Sequence, residues 1–225
     1  MINIKDNQLL LLNFGAGDPI PGWLNLDSSP FYLLPRFIHK IIGSMHSLSR
    51  SKFFLNADYK FHLFTSPRNL PFKDDSIDII YCSHVIEHLP SETLKYLFDE
   101  FHRVLKYNGI ARVIIPDIER AMLSCLAEEG QRSIDIGEQL GTLPLALRSS
   151  RLRMMVEALF GFPSLHKTLI TSKNVNNFFD DNSKWLMKQS LRFMESDIHV
   201  NLLNKIETES RCKGSLIFEL RKKAN

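Results

Sequence analysis

Cysteine is scarce in this sequence. Cys82, Cys125 and Cys212 are the three in 225 residues, widely spaced and without a Cys-x-x-Cys pair. That speaks against a disulfide framework and reads as reduced thiols in a cytoplasmic protein. No apolar run reaches the ~18 residues of a membrane span, and the first residues lack the charged-then-apolar pattern of a secretory signal. Long Lys/Arg runs are missing too. A net charge of +3 with a pI near 8.7 permits an anionic partner without demanding one, so no nucleic-acid partner is expected. Internal repeats and low-complexity segments are absent. What remains, 44% hydrophobic and 24% charged residues, is the balance of a soluble globular protein of one domain spanning 1–225.

The chain is organised around Asn13 to Asp27. A four-leucine run, Leu9 to Leu12, has the length and apolar character of a strand buried on both faces of a parallel sheet. Gly15 and Gly17 follow, where the absence of a Cβ allows a sharp turn and close approach to a ligand. Trp23 to Leu26 reads as a second strand. Asp27 ends it, which puts a carboxylate at the carboxyl edge of the sheet, where an acid commonly holds a ribose diol. A dinucleotide fingerprint does not fit, because Ile20 stands where its third glycine would be and Asp27 follows Gly17 too soon.

Further along, apolar residues from Leu34 to Met45 recur at helical spacing, with Arg36, His39 and Lys40 on the opposite face. This predicts a helix covering the sheet; the alternative is a peripheral membrane contact through 35–45. Strands are predicted at Tyr59 to Phe64, Ile77 to Cys82 and Ile110 to Ile115. A helix with Ser91 as its cap and Asn108-Gly109 at its end lies between the last two. This alternation is that of right-handed parallel crossovers. The segment 118–164 reads as a helical insertion, a lid or plain cover. Asn174 to Phe179 is a short helix, and Trp185 to Phe193 with Ser215 to Leu220 form an antiparallel pair at the sheet edge. The fold class is therefore α/β: a doubly wound, mostly parallel sheet with an antiparallel C-terminal edge pair.

Six segments in order carry a resemblance. They are Asn-Phe-Gly-Ala-Gly from Asn13, Gly-Trp-Leu-Asn-Leu-Asp from Gly22, Leu-Pro-Phe-Lys-Asp-Asp-Ser-Ile-Asp from Leu70, Ser-His-Val-Ile-Glu-His-Leu from Ser83, Arg-Val-Leu-Lys-Tyr-Asn-Gly from Arg103 and Ile-Pro-Asp from Ile115. Together they resemble class I S-adenosylmethionine-dependent methyltransferases of the type 11 group, with a Rossmann-like fold. The likeness is closer to small bacterial members linked to cell-surface glycan synthesis, which also share a His-Lys like His166-Lys167. The resemblance implies S-adenosyl-L-methionine as cofactor. Asn13, Gly15, Ala16 and Gly17 would hold its amino-acid end, Asp27 the ribose hydroxyls, and Thr65 to Leu70 the adenine side. Ser83 and His84 would lie beside the sulfonium. Asp18 replaces a common third glycine, Thr65 stands where an aspartate is expected, and the short connection from Phe14 to Trp23 leaves no room for the usual crossover helix.

His84, Asp117 and His166 are the catalytic candidates, with His84 favoured as the group that orients or deprotonates a hydroxyl of a small-molecule or glycan-type acceptor. The bland alternative for His84 is a histidine bonded to backbone. A metal site on His84, Glu87 and His88, completed by His166 or His199, is the second hypothesis, and the reading commits to no metal. A cofactor-binding relic without activity is the third. Valine at Gly15 is expected to block the cofactor and leave the fold intact.

Overall fold

The computed structural model describes residues 9–15, 20–27, 61–63, 67–127, 165–179 and 184–223. Seven strands form one sheet: β1 (Leu11–Phe14), β2 (Leu24–Asp27), β3 (Phe61–Leu63), β4 (Ile77–Ser83), β5 (Leu105–Pro116), β6 (Trp185–Lys188) and β7 (Ser215–Lys222). Their order is β3-β2-β1-β4-β5-β7-β6. The five strands from β3 to β5 run parallel, and β7 runs antiparallel to both β5 and β6. Four helices are described: α1 (Ser91–Val104), α2 (Ile118–Ala127), α3 (Val200–Leu203) and α4 (Glu209–Cys212). The expected mostly parallel Rossmann-like sheet with an antiparallel C-terminal pair is what the chain forms.

Side-chain alternation splits the core into two layers. On one face Leu12, Phe14, Ile80, Cys82, Val113, Phe218 and Leu220 meet the Leu94, Leu97, Phe98 and Phe101 stripe of α1. On the other, Tyr81, Ile114 and Ile217 are covered by Ile198, Leu203, Ile206 and Cys212. That second layer hides a charge cluster. Arg112 of β5 is fully buried, donating to the Glu207 carboxylate and, at 2.9 Å, to Glu219 of β7. Burial opposes its charge, but the two carboxylates more than offset this and hold its pKa above the ordinary value.

Several boundaries differ from the sequence reading. The first strand begins two residues later and runs through Asn13 and Phe14, because these pair with both Asn25–Leu26 and Tyr81–Cys82. The third strand spans 61–63, and β6 stops at Lys188. Ser91 makes no capping bond; the N-cap position of α1 is Pro90. Asn108-Gly109 does not end α1 either. The helix stops at Val104 and Leu105 already pairs with Ile77. Pairing resumes at Ile110 with Ile79, so 106–109 bulge out of β5 and Asn108 takes φ +62°. The Asn-Gly pair that the sequence places at the helix end is used by the sheet as a bulge. The 35–45 segment and most of 118–164 lie outside the described residues, except that 118–127 is helical. Among the described residues no helix is long and apolar enough to cross a membrane.

Candidate active site

The strand order reverses between β1 and β4. The chain moves outward one way through β2 and β3, and the other way through β4 and β5. In open α/β sheets the crevice outside the carboxyl ends at this point is where ligands bind. Phe14 is level with Leu26 on one side and Cys82 on the other, so Gly15, Asp27 and Ser83 emerge side by side at that edge.

Gly15 is there for two reasons. Its φ is +71°, and a Cβ would come within 2.2 Å of Val85 Cγ2. The close neighbour is thus the turn after β4, so valine at this position would disturb the fold as well as any ligand, contrary to the expectation above. The Gly15 amide is also spoken for, donating to Leu26 O at 2.8 Å. Asn13 donates its side-chain amide to Asn25 Oδ1 at 2.9 Å, and Asn25 in turn holds the Ile20 amide and the Ile20 and Trp23 carbonyls. Both asparagines are buried, and together they shape the short connection from β1 to β2. Asn25 was not singled out from the sequence, although an amide in the middle of an apolar strand is a signal of such a role.

Ser83 ends β4 with its Oγ buried and, among the described residues, unbonded. Leu70 is buried in the core. Its amide donates to Glu100 and its carbonyl accepts from Arg103, so α1 grips the loop expected to face the adenine. Arg103 also holds Phe72 O and Asp74, and Arg68 lies over the Tyr96 ring at 4.1 Å. Ala16, Gly17 and Thr65 lie outside the described residues.

His84 follows β4 with φ +55°, its amide tied to Ile114 O at 2.8 Å. Its Nδ1 faces Glu87 Oε1 at 3.4 Å and its Nε2 faces Ser215 Oγ at 3.5 Å. Glu87 lies in a 3-10 turn, Ile86–His88. His166 comes from 78 residues further on to pack its ring against His88, with centroids 5.0 Å apart. Two of the three catalytic candidates, His84 and His166, therefore converge on Glu87. Asp117 has a different place: its Oδ1 accepts from the Arg120 amide and its own amide donates to Gly214 O, which makes it the cap of α2. His199 likewise caps α3, accepting from Asn201 N. Cys82 is inert; burial and the nearby Glu87 charge push its thiol pKa well above the usual value.

The family described as a methyltransferase domain matches residues 44–113, which takes in β3, β4, α1 and most of β5 and stops short of the Gly15 loop and Asp27. The match covers about a third of the chain. Solved structures of this fold include the PH0226 protein from Pyrococcus horikoshii OT3, at 14% identity and TM-score 0.50 over 95% of this chain and 81% of that one. A putative methyltransferase solved in complex with the Trm112 methyltransferase activator of Haloferax volcanii matches at 14% and 0.51, over 96% and 82%. The YcgJ protein of Bacillus subtilis matches at 13% and 0.50, over 97% and 93%. At such identities the likeness is one of fold. No curated protein matches the chain.

The resemblance implies S-adenosylmethionine as cofactor, and the residues at the carboxyl edge fit it. Ser83 Oγ is an orphaned buried hydroxyl that needs a partner, and Asp27 presents a half-buried carboxylate level with it.

Proposed function

We propose that the chain transfers a methyl group to a hydroxyl of a small-molecule or glycan-type acceptor, with His84 as the acceptor-side base. The observation that carries this is the placement of the His84 ring between the Glu87 carboxylate and Ser215 Oγ, directly outside β4. When bound, the cofactor supplies an activated methyl on a sulfonium. The protein's share is to hold both reactants in line, exclude water and remove the hydroxyl proton. Glu87 beside Nδ1 favours the tautomer with its proton there, leaving Nε2 to accept the acceptor's proton. Ser215 Oγ marks the position from which a hydroxyl reaches Nε2. Asp27 holds the ribose hydroxyls and Ser83 lies at the cofactor's reactive end. His166 lines the acceptor side.

Calorimetry with S-adenosylmethionine and a screen of nucleotide-sugar acceptors test the reading. Binding is expected in the micromolar range, about −7 to −8 kcal/mol. Asp27→Ala is expected to lose roughly 2–3 kcal/mol of it. His84→Asn is expected to keep cofactor affinity within about twofold and to lower turnover by about 10²–10⁴. Full turnover in His84→Asn would reduce the mechanism to positioning, and unchanged affinity in Asp27→Ala would remove the ribose assignment.

A further inference from the structure

Glu87 poses a problem that the transfer chemistry does not solve. Its carboxylate is 3% exposed, and among the described residues neither oxygen receives a hydrogen bond. The nearest basic groups are His84 Nδ1 at 3.4 Å and His88 Nε2 at 4.0 Å, both measured to Oε1. A carboxylate taken out of water without bonds is costly, so a fold that keeps one there has something to place against it. We infer that Glu87, His88 and His166 form a binding site for a divalent transition-metal cation of the zinc type.

The geometry suits this. One donor atom from each of the three residues lies within 4.8 Å of the other two. A zinc ion with bonds near 2.0–2.1 Å brings its ligands to about 3.4 Å, so the partly exposed imidazoles have at most about 1.4 Å to close. The histidine tautomer is also set. His88 Nδ1 lies 3.0 Å from Leu165 O, and a carbonyl can only accept. In the neutral ring the proton therefore sits on Nδ1, and Nε2 keeps its lone pair on the side of Glu87. That is the arrangement in which metal-ligating histidines are held by a backbone carbonyl.

The frame that carries the donors is built before any ion arrives. Lys167 and Thr168 both donate their amides to Glu87 O, at 2.7 and 3.1 Å, and Thr168 Oγ1 donates to Leu89 O at 2.6 Å. His166 thus rides on a segment stapled to the very turn that bears the other two ligands. Two imidazoles and one carboxylate form a borderline donor set that favours zinc over magnesium, which prefers oxygen alone. Three protein ligands leave one position for water or a substrate oxygen. A carboxylate has about four lone-pair sites, so Glu87 can hold the ion and still orient His84. The sequence alone points to no metal, because most chains with Glu-His-Leu at this point have none. It is His166, brought from far along the chain, that changes the balance.

The site stands independently of the transfer reaction, so its test reads metal. The full-length protein is stripped with EDTA, desalted and titrated with Zn2+ against a chromophoric chelator at pH 7, with Mg2+ in parallel. Cofactor affinity is measured on the same samples, so that failure of the methyltransferase reading shows separately. Wild type is expected to take up about one Zn2+ per chain, with millimolar Mg2+ failing to compete. Glu87→Gln and His166→Ala are each expected to bind at least about tenfold more weakly. Zinc is expected to raise the melting temperature of wild type and leave both variants unmoved. Without metal, Glu87→Gln should melt no lower than wild type, because it removes a buried unpaired charge. If the cluster were merely an ion pair of Glu87 with protonated histidines, no zinc would be taken up, and that result overturns the site. Uptake unchanged in both variants, or displacement of zinc by Mg2+, overturns it equally.

Discussion

Gly15 shows how much a single position can be asked to do. Its backbone is left-handed, and the space a side chain would fill already belongs to Val85. Left-handed backbone alone costs a non-glycine residue roughly 1–2 kcal/mol. Overpacking a well-filled site adds about 1–3 kcal/mol. Gly15→Ala is therefore expected to destabilise the protein by about 2–5 kcal/mol in urea unfolding. Gly15→Ala with Val85→Ala removes the two closest methyl contacts but leaves the φ of +71° in place. The double variant should accordingly recover less than the whole loss. Full recovery would show that the backbone at Gly15 is unstrained.

At the scale of elements, α1 holds the Leu70–Asp74 loop against the sheet. Glu100 and Arg103 bind the main chain and side chains of the Leu70–Asp74 loop, and Arg103 sits among these carboxylates with its pKa raised, Glu100 being the largest cause. Directly before Arg103, His102 packs on the Trp185 ring of β6, centroids 5.1 Å apart, with its Nε2 buried and, among the described residues, unbonded. Burial lowers the His102 pKa, helped by the Lys222 and Lys184 charges and opposed by Asp99 and Asp75. The unfolded chain then binds a proton that the folded one refuses. Stability is complete above the unfolded pKa of about 6.5 and falls as the pH drops through it towards the lower folded value. His102→Phe keeps a ring against Trp185 and removes the titration. Its unfolding free energy should change less than that of wild type between pH 7.5 and 5, measured by urea melts across that range. Equal slopes would mean that His102 titrates alike in both states.

For the whole molecule, the last strand is an inner one. β7 lies between β5 and β6, burying Leu216, Phe218 and Leu220 on the α1 face and pairing Glu219 with Arg112 on the other. Each large side chain fully buried is worth about 1.5–3 kcal/mol. Three of them, with the ladder on both sides and the loss of one partner of a buried arginine, approach the entire stability of about 5–15 kcal/mol. A chain ending at Gly214 should show no cooperative thermal transition and should bind dye specific for exposed apolar surface. A sharp melt in that truncation would show that β1 to β5 fold alone. Ser215, which faces His84, is the first residue of the same strand, so completing the sheet and completing the site are one event.

What the sequence determined by itself was everything that depends on neighbours in the chain. Alternation and apolar runs set the strand count and the parallel order, and Asp27, Ser83 and His84 were legible as strand ends because each directly follows its run. Local signals failed where pairing partners overrode them. Leu11–Phe14 is placed by Leu24–Leu26 and Ile79–Cys82, and Asn108-Gly109 became a bulge because Leu105 already had Ile77 to pair with. The tertiary structure alone decided which polar groups meet. Asp117 looked catalytic by position and is bonded as a helix cap, while Asn13 turned inward to Asn25. Glu87, named in the sequence as one member of an alternative metal set, became the centre to which His84, His88 and His166 are drawn. Such contacts span up to 79 residues, from Glu87 to His166. Only the amides that staple 165–168 to the turn at Glu87 bring His166 within 4.8 Å of it, and they are not written in any local pattern.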